Sequence, residues 1–204
     1  MSRPAQIQFL SRFAAAYDPV VQLMGFGPLW RAVAEVAAPS PGQWVLDVCT
    51  GTGGAAAELR LRGARVVGVD LATGLLRRAV RKRRAAHLLR MDARHLAFRD
   101  RAFRLITCSM ALHEMAPLER EQSLEEIARV ASDRVVIAEY HVPRGFPCRL
   151  LFRTKRVFEY AESDDFASFV RSDFRTLLER AGFTTTRPRD IGAYRIWPCS
   201  VRAA

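Results

Sequence analysis

Val45-Leu46-Asp47-Val48-Cys49-Thr50-Gly51-Thr52-Gly53-Gly54 is the stretch whose reading decides the fold. An apolar run ends in an acid, passes through a glycine turn and enters the Ala-rich segment Ala55 to Leu61. That order predicts a buried strand, a tight loop and a helix. Glycine lets the backbone approach a ligand closely, because no Cβ stands in the way. Such a loop after the first strand of an open α/β sheet is a nucleotide-type cofactor site. Gly51-x-Gly53-x-x-Ala56 satisfies the dinucleotide pattern, which alone is weak. Asp47 argues against a dinucleotide. A pyrophosphate uses the positive end of the helix, and a carboxylate aimed at the same crevice would repel it.

Two further acids extend the pattern. Arg65-Val66-Val67-Gly68-Val69-Asp70 reads as a second strand, and an acid at its end can accept both hydroxyls of a ribose. Ala86-His87-Leu88-Leu89-Arg90 reads as a third short strand, followed by Asp92, which could accept an adenine amino group. Each acid alone reads equally well as a helix cap or turn residue. Together, three acids at three successive strand ends describe a site for an adenosine compound carrying positive charge. S-adenosyl-L-methionine, with an α-ammonium and a sulfonium, is such a compound.

Elsewhere the periodicity predicts helices over residues 6–16, Pro28 to Ala37, Pro117 to Val130, Arg149 to Tyr160 and Ser172 to Ala181, the last closed by Gly182. Pro39-Ser40-Pro41-Gly42 breaks the chain before the first strand. Arg134 to Tyr140 is β-branched and apolar, as a buried parallel strand should be, and Phe183 to Arg187 and Tyr194 to Pro198 read as antiparallel closing strands. The alternation predicts an α/β fold: a doubly wound, mostly parallel, seven-stranded Rossmann-like sheet with helices on both faces. The whole chain, 1–204, reads as one domain.

From about Trp44 to Pro143 the chain resembles the class I S-adenosylmethionine-dependent methyltransferases. Asp47-Val48-Cys49-Thr50-Gly51-Thr52-Gly53 resembles the ubiquinone/menaquinone C-methyltransferase-like small-molecule branch, where a cysteine at the Cys49 position is typical. Met91 to Phe98 resembles the family's adenine-binding motif, Phe103 to His113 its fourth strand and following loop, and Ala15-Ala16-Tyr17-Asp18 its N-terminal Tyr-Asp segment. There are departures. Phe103-Arg104 replaces the usual Phe-Asp, and Ala131-Ser132-Asp133 replaces a Pro-Gly-Gly turn before strand five. The resemblance implies S-adenosyl-L-methionine as cofactor, contacted by Thr52, Asp70 with the adjoining Leu71, Asp92, Ala93 and Ser109. It implies that Asp47, Gly51 and Gly53 shape the loop and that Tyr17 closes over the cofactor. It implies a helical cover from residues 1–40 and a lid over the substrate from residues 144–174. The Phe-rich composition of that second segment suggests an aromatic or lipidic, quinone-like acceptor.

Methyl transfer from a sulfonium is an in-line displacement, so the protein chiefly aligns the reactants in a dry pocket. A carbon or phenol acceptor must also lose a proton. His113 and His141, following strands four and five, are the candidate bases, since imidazole titrates near neutrality. The alternative reading for each is a histidine satisfied by hydrogen bonds at a strand end.

The formal charge is +11, nearly all from arginine. It admits an anionic membrane surface or nucleic acid as partner, the latter less favoured. The densest run, Arg77 to Arg84, reads as the wet face of an amphipathic helix with Leu75, Leu76, Ala79 and Val80 inward. An RNA or protein methyltransferase is a competing function, but the Asn/Asp-Pro-Pro-Tyr signature is absent and Thr107-Cys108 lies inside a strand. An NAD(P)-binding oxidoreductase would have to tolerate Asp47. Four dispersed cysteines (Cys49, Cys108, Cys148 and Cys199) and the absence of an apolar leader or span suit a cytoplasmic protein. The histidine spacing predicts no metal.

Overall fold

The three acid-ended stretches form three parallel strands: β1 (Trp44–Val48), β2 (Arg65–Asp70) and β3 (His87–Arg90). The protein is represented by a computed structural model, which describes residues 26–83, 87–141 and 165–201. β4 (Phe103–Ser109) pairs with the other side of β1, and β5 (Ala131–Tyr140) with β4, both parallel. β8 (Tyr194–Val201) runs antiparallel to β5, and β6 (Phe183–Thr185) and β7 (Arg189–Ile191) pair antiparallel with β8. The order is β3-β2-β1-β4-β5-β8-β6, with β7 on β8. The sheet therefore has eight strands, not the expected seven. The extra strand is β7, only three residues long. At Pro198 the outer edge of β8 passes from β6 to β7, so the residue lacking an N–H sits at a gap in the ladder.

Six helices surround this sheet among the described residues. α1 (Phe26–Ala37), α2 (Gly54–Leu61) and α3 (Thr73–Arg83) pack side by side on one face. The strand order runs one way from β1 to β3 and the other way from β4 to β5. Right-handed crossovers therefore send α4 (Pro117–Val130) to the opposite face, where it meets α5 (Asp165–Arg171); α6 (Phe174–Arg180) follows. The reversal between β1 and β4 is a topological switch point, and such points open a crevice at the carboxyl ends of the strands.

The core is continuous through the sheet. Leu29, Val33 and Leu59 close one face over Leu46 and Ile106, and Leu124, Ile127 and Leu178 close the other. α4 starts with proline in its first turn, as expected, and its Ser123, Leu124 and Ile127 are buried. Leu118, expected inward, is exposed. On α3, Leu75, Leu76 and Ala79 are buried but Val80 is not. Cys108 and Cys199 are buried thiols, and burial pushes Cys199 up to about 12. Cys148, Tyr17 and the helices expected over 6–16 and 149–160 lie outside the described residues. The described end of the expected lid, residues 165–174, forms α5 and the start of α6, with Phe166 and Phe169 packed into the core.

Candidate active site

The glycine loop has the backbone its sequence demands. Cys49, Gly51 and Gly53 have φ of 56°, 55° and 77°, the left-handed region in which a side chain is strained. Thr50 N–H donates to the Val69 carbonyl (2.9 Å) and Gly53 N–H to the Thr50 carbonyl (2.9 Å), pinning the loop to β2. Gly54 opens α2, and a Cβ there would lie 2.4 Å from the Trp30 ring. Only glycine lets α1 seat its indole against the loop.

Asp47 does not face the crevice. It is buried beneath the loop, accepting hydrogen bonds from the hydroxyls of Thr50 (2.6 Å) and Thr107 (2.6 Å). Burial pushes its carboxyl up to about 6, against the lowering effect of the two threonines. Asp47 thus ties the loop to β4 and shapes the site from below. Asp70 does face the crevice. Its Oδ2 accepts from Gly51 N–H (2.8 Å) and its Oδ1 from Ala72 N–H (2.8 Å). Burial raises its carboxyl above the ordinary range, and those amides pull it back. Each oxygen keeps a lone pair for a further donor, as two ribose hydroxyls would require.

A cleft of about 980 Å³, including its open mouth, follows from this arrangement. Thr50, Gly51, Thr52 and Asp70 line its polar floor, and Leu71, Ala72, Leu75, Met91 and Ala93 line an apolar side suited to a purine. Phe26 and Trp30 of α1 and the segment Ser109 to Ala111 with Glu114 and Met115 complete it. Of the sequence-predicted cofactor residues, Gly51, Thr52, Asp70, Leu71, Ala93 and Ser109 are brought together here. Asp47 and Gly53 support the loop without lining the cleft. Asp92 lies between two lining residues, and its carboxylate is held by Arg94 Nε (3.1 Å) and Nη2 (2.7 Å). Adenosine with a cationic sulfur fits this donor and acceptor set: a carboxylate for the ribose, an apolar slot for the base and no cation on the floor.

The two histidines lie elsewhere. His113 sits in a short 3-10 turn (Leu112–Glu114) after β4, buried and outside the cleft lining. Its Nδ1 donates to Glu139 Oε2 (2.7 Å), and Tyr140, Phe166 and Phe169 surround the ring edge-on. Glu139, fully buried on β5, also accepts from the amides of Ala111 (2.9 Å) and Leu112 (2.6 Å). Arg120, buried on α4, completes this brace. Its guanidinium donates to the carbonyls of Leu112 (2.9 Å) and Met115 (2.9 Å) and lies over the Phe169 ring. The loop that forms one wall of the cleft is thereby held by a carboxylate on its amides and a guanidinium on its carbonyls. His141 lines a separate cavity with Phe174, Arg175, Arg195 and Trp197, its Nε2 3.5 Å from Asp190. The ionisable group that does reach the cleft beside the loop is Glu114, whose Oε1 lies 3.9 Å from His113 Nε2.

Comparison with known proteins agrees with this geometry. The methyltransferase domain family matches residues 45–134, from β1 into β5. The chain is 35% identical to a demethylmenaquinone methyltransferase of Thermus thermophilus, over 70% of this chain and 69% of that one. This chain is a class I S-adenosylmethionine-dependent methyltransferase. A demethylmenaquinone methyltransferase of Clavibacter sepedonicus is 29% identical over 94% of this chain and 87% of its own. Magnesium protoporphyrin IX methyltransferase of Synechocystis, solved with S-adenosylmethionine bound, shares the fold with a TM-score of 0.64 at 18% identity, covering 88% of this chain and 81% of that one. These likenesses favour neither the oxidoreductase nor the RNA or protein methyltransferase alternative. Among the described residues no cluster of ligating side chains suits a metal, and no helix is long and apolar enough to cross a membrane.

Proposed function

We propose that this methyltransferase acts on a ring carbon of a small hydroquinone-type acceptor. The observation that carries the reading is the composition of the cleft wall opposite Asp70: Phe26, Trp30, Met110 and Met115 with one carboxylate, Glu114. A flat apolar ring packs against such a wall, and the names of the quinone-methylating relatives point to the same acceptor class. Bound S-adenosylmethionine supplies the electrophilic methyl group and departs as the neutral thioether. Asp70 holds the ribose, Thr52 and the Gly51 amide face the polar end, and Trp30 with Phe26 keeps water from the reacting centre. Methylation of a ring carbon forms one carbon–carbon bond and releases one proton, and Glu114 is the group placed to take it. His113 and Glu139 stand behind Glu114 and fix its loop; His141 takes no part.

The test is methyl transfer from S-adenosylmethionine to a short-chain demethylated naphthoquinol under reducing conditions, read by product mass. The expected product carries one added methylene on the ring. Methylation of RNA or protein but not of the quinol would sink the proposal in favour of the macromolecular reading.

A further inference from the structure

The positive charge is concentrated in one part of the molecule. Between Leu59 and Met91, ten residues are Arg or Lys and only Asp70, turned into the cleft, is acidic. The exposed large apolar side chains fall in the same place. Among the described residues they are Trp44 (43%), Leu61 (79%), Val80 (56%), Leu89 (43%) and Leu118 (65%), and all but Leu118 lie on or beside α2, α3 and the edge strand β3. On α3, exposed Arg77, Val80 and Arg81 stand at i, i+3 and i+4, one continuous stripe opposite the buried Leu75, Leu76 and Ala79. Arg60, Arg65 and His87 share a groove with Trp44, and Arg65 lies over the indole. The end of α3 is four residues from His87, so the stripe and the groove adjoin.

A merely solvated charge face has no use for exposed leucine, valine and tryptophan. Nucleic acid would engage the cations, yet Leu61, Val80 and Leu89 offer no ring on which a base could stack. An anionic bilayer uses both: cations meet the headgroups, and apolar side chains with an interfacial tryptophan enter the boundary below them. We propose that the α3–β3 flank is a docking surface for an anionic membrane. Leu75 and Met91, on the same helix and just past the same strand, line the cleft, so docking sets the cleft beside the lipid surface. The proposal is independent of the acceptor's identity.

Co-sedimentation of the full chain with phosphatidylcholine vesicles, with and without phosphatidylglycerol, tests it. Binding is expected only with the anionic lipid and should weaken steeply as salt rises. Arg77→Gln/Arg81→Gln/Lys82→Gln should lower partitioning by about a hundredfold. Leu61→Ser/Val80→Ser should lower it by roughly tenfold with the salt slope unchanged. Unchanged S-adenosylhomocysteine affinity in both variants would certify the fold, since none of these residues lines the cleft. Equal binding to neutral and anionic vesicles, indifference to both variants, or tighter binding to RNA that the arginine variant abolishes, overturns the membrane assignment.

Discussion

Asp70 and Glu139 are both carboxylates on the central sheet, and each accepts two backbone amides from a neighbouring loop. Asp70 remains open to the cleft, with acceptor capacity left for a ligand. Glu139 is sealed: its second oxygen takes the His113 imidazole, and no part of it meets solvent. The first is arranged to bind and the second to brace. An acid at a strand end is therefore not by itself a ligand-binding acid. What separates the two is whether the protein has already consumed the lone pairs.

Four measurements press on that contrast. The largest effect belongs to the brace. Glu139→Ala removes the acceptor of the Ala111 and Leu112 amides beneath a buried imidazole, and should lower stability by about 3–5 kcal/mol in chemical denaturation. Loss of cofactor affinity with unchanged stability would instead make Glu139 a binding residue.

The next concerns Asp47, a sealed acid without a cation. Its folded carboxyl titrates near 6 against an ordinary 3.8, so the native state binds the proton more tightly than the unfolded chain. The penalty of ionising it is full above the folded value and fades as pH falls toward the ordinary one. Wild-type stability relative to Asp47→Asn should therefore rise by about 3 kcal/mol as pH is lowered through that window. A flat difference between the two proteins would show that Asp47 is better solvated than its burial implies.

The open acid should behave in the opposite way. Asp70→Asn is expected to weaken S-adenosylhomocysteine binding by about tenfold to a hundredfold in calorimetry, with little change in melting temperature. Because the Asp70 carboxyl is raised, wild-type cofactor affinity should also increase as pH rises through its titration. A stability loss like that of Glu139→Ala would erase the distinction. The smallest effect is Cys49→Gly, which relieves a left-handed φ of 56° and should raise stability by roughly 0.5 kcal/mol in a thermal melt.

The legibility of the sequence divides along the same line. The strand–loop–helix unit around Gly51, the β2 boundaries Arg65–Asp70 and the helix Pro117–Val130 were all readable, because local periodicity and punctuation determine them. The apolar slot around Asp70 followed from the acid-ended strands. Phe26 and Trp30 reach the cleft only through the way α1 packs on Gly54, a contact no local pattern announces. Arg120 reads as one more polar position on an amphipathic helix, and it is buried because two loop carbonyls await it across space. Glu139 did carry a signal: a charge inside Val135-Val136-Ile137-Ala138-Glu139-Tyr140 has to find a partner. β7 and α5 were missed because Arg189-Asp190-Ile191 has no period to detect and Asp165 to Arg171 was merged into the expected lid.

α4 ends at Val130 and β5 begins at Ala131, with no connecting residue between them. The junction has no slack. Adding a single residue there would advance the downstream chain by half a pleat, and side chains alternate from face to face along a strand. Glu139 would swing to the layer of α1 and Tyr140 to the layer of α4. Helix and strand are geared together at this join, and a cleft wall more than a dozen residues away depends on its count.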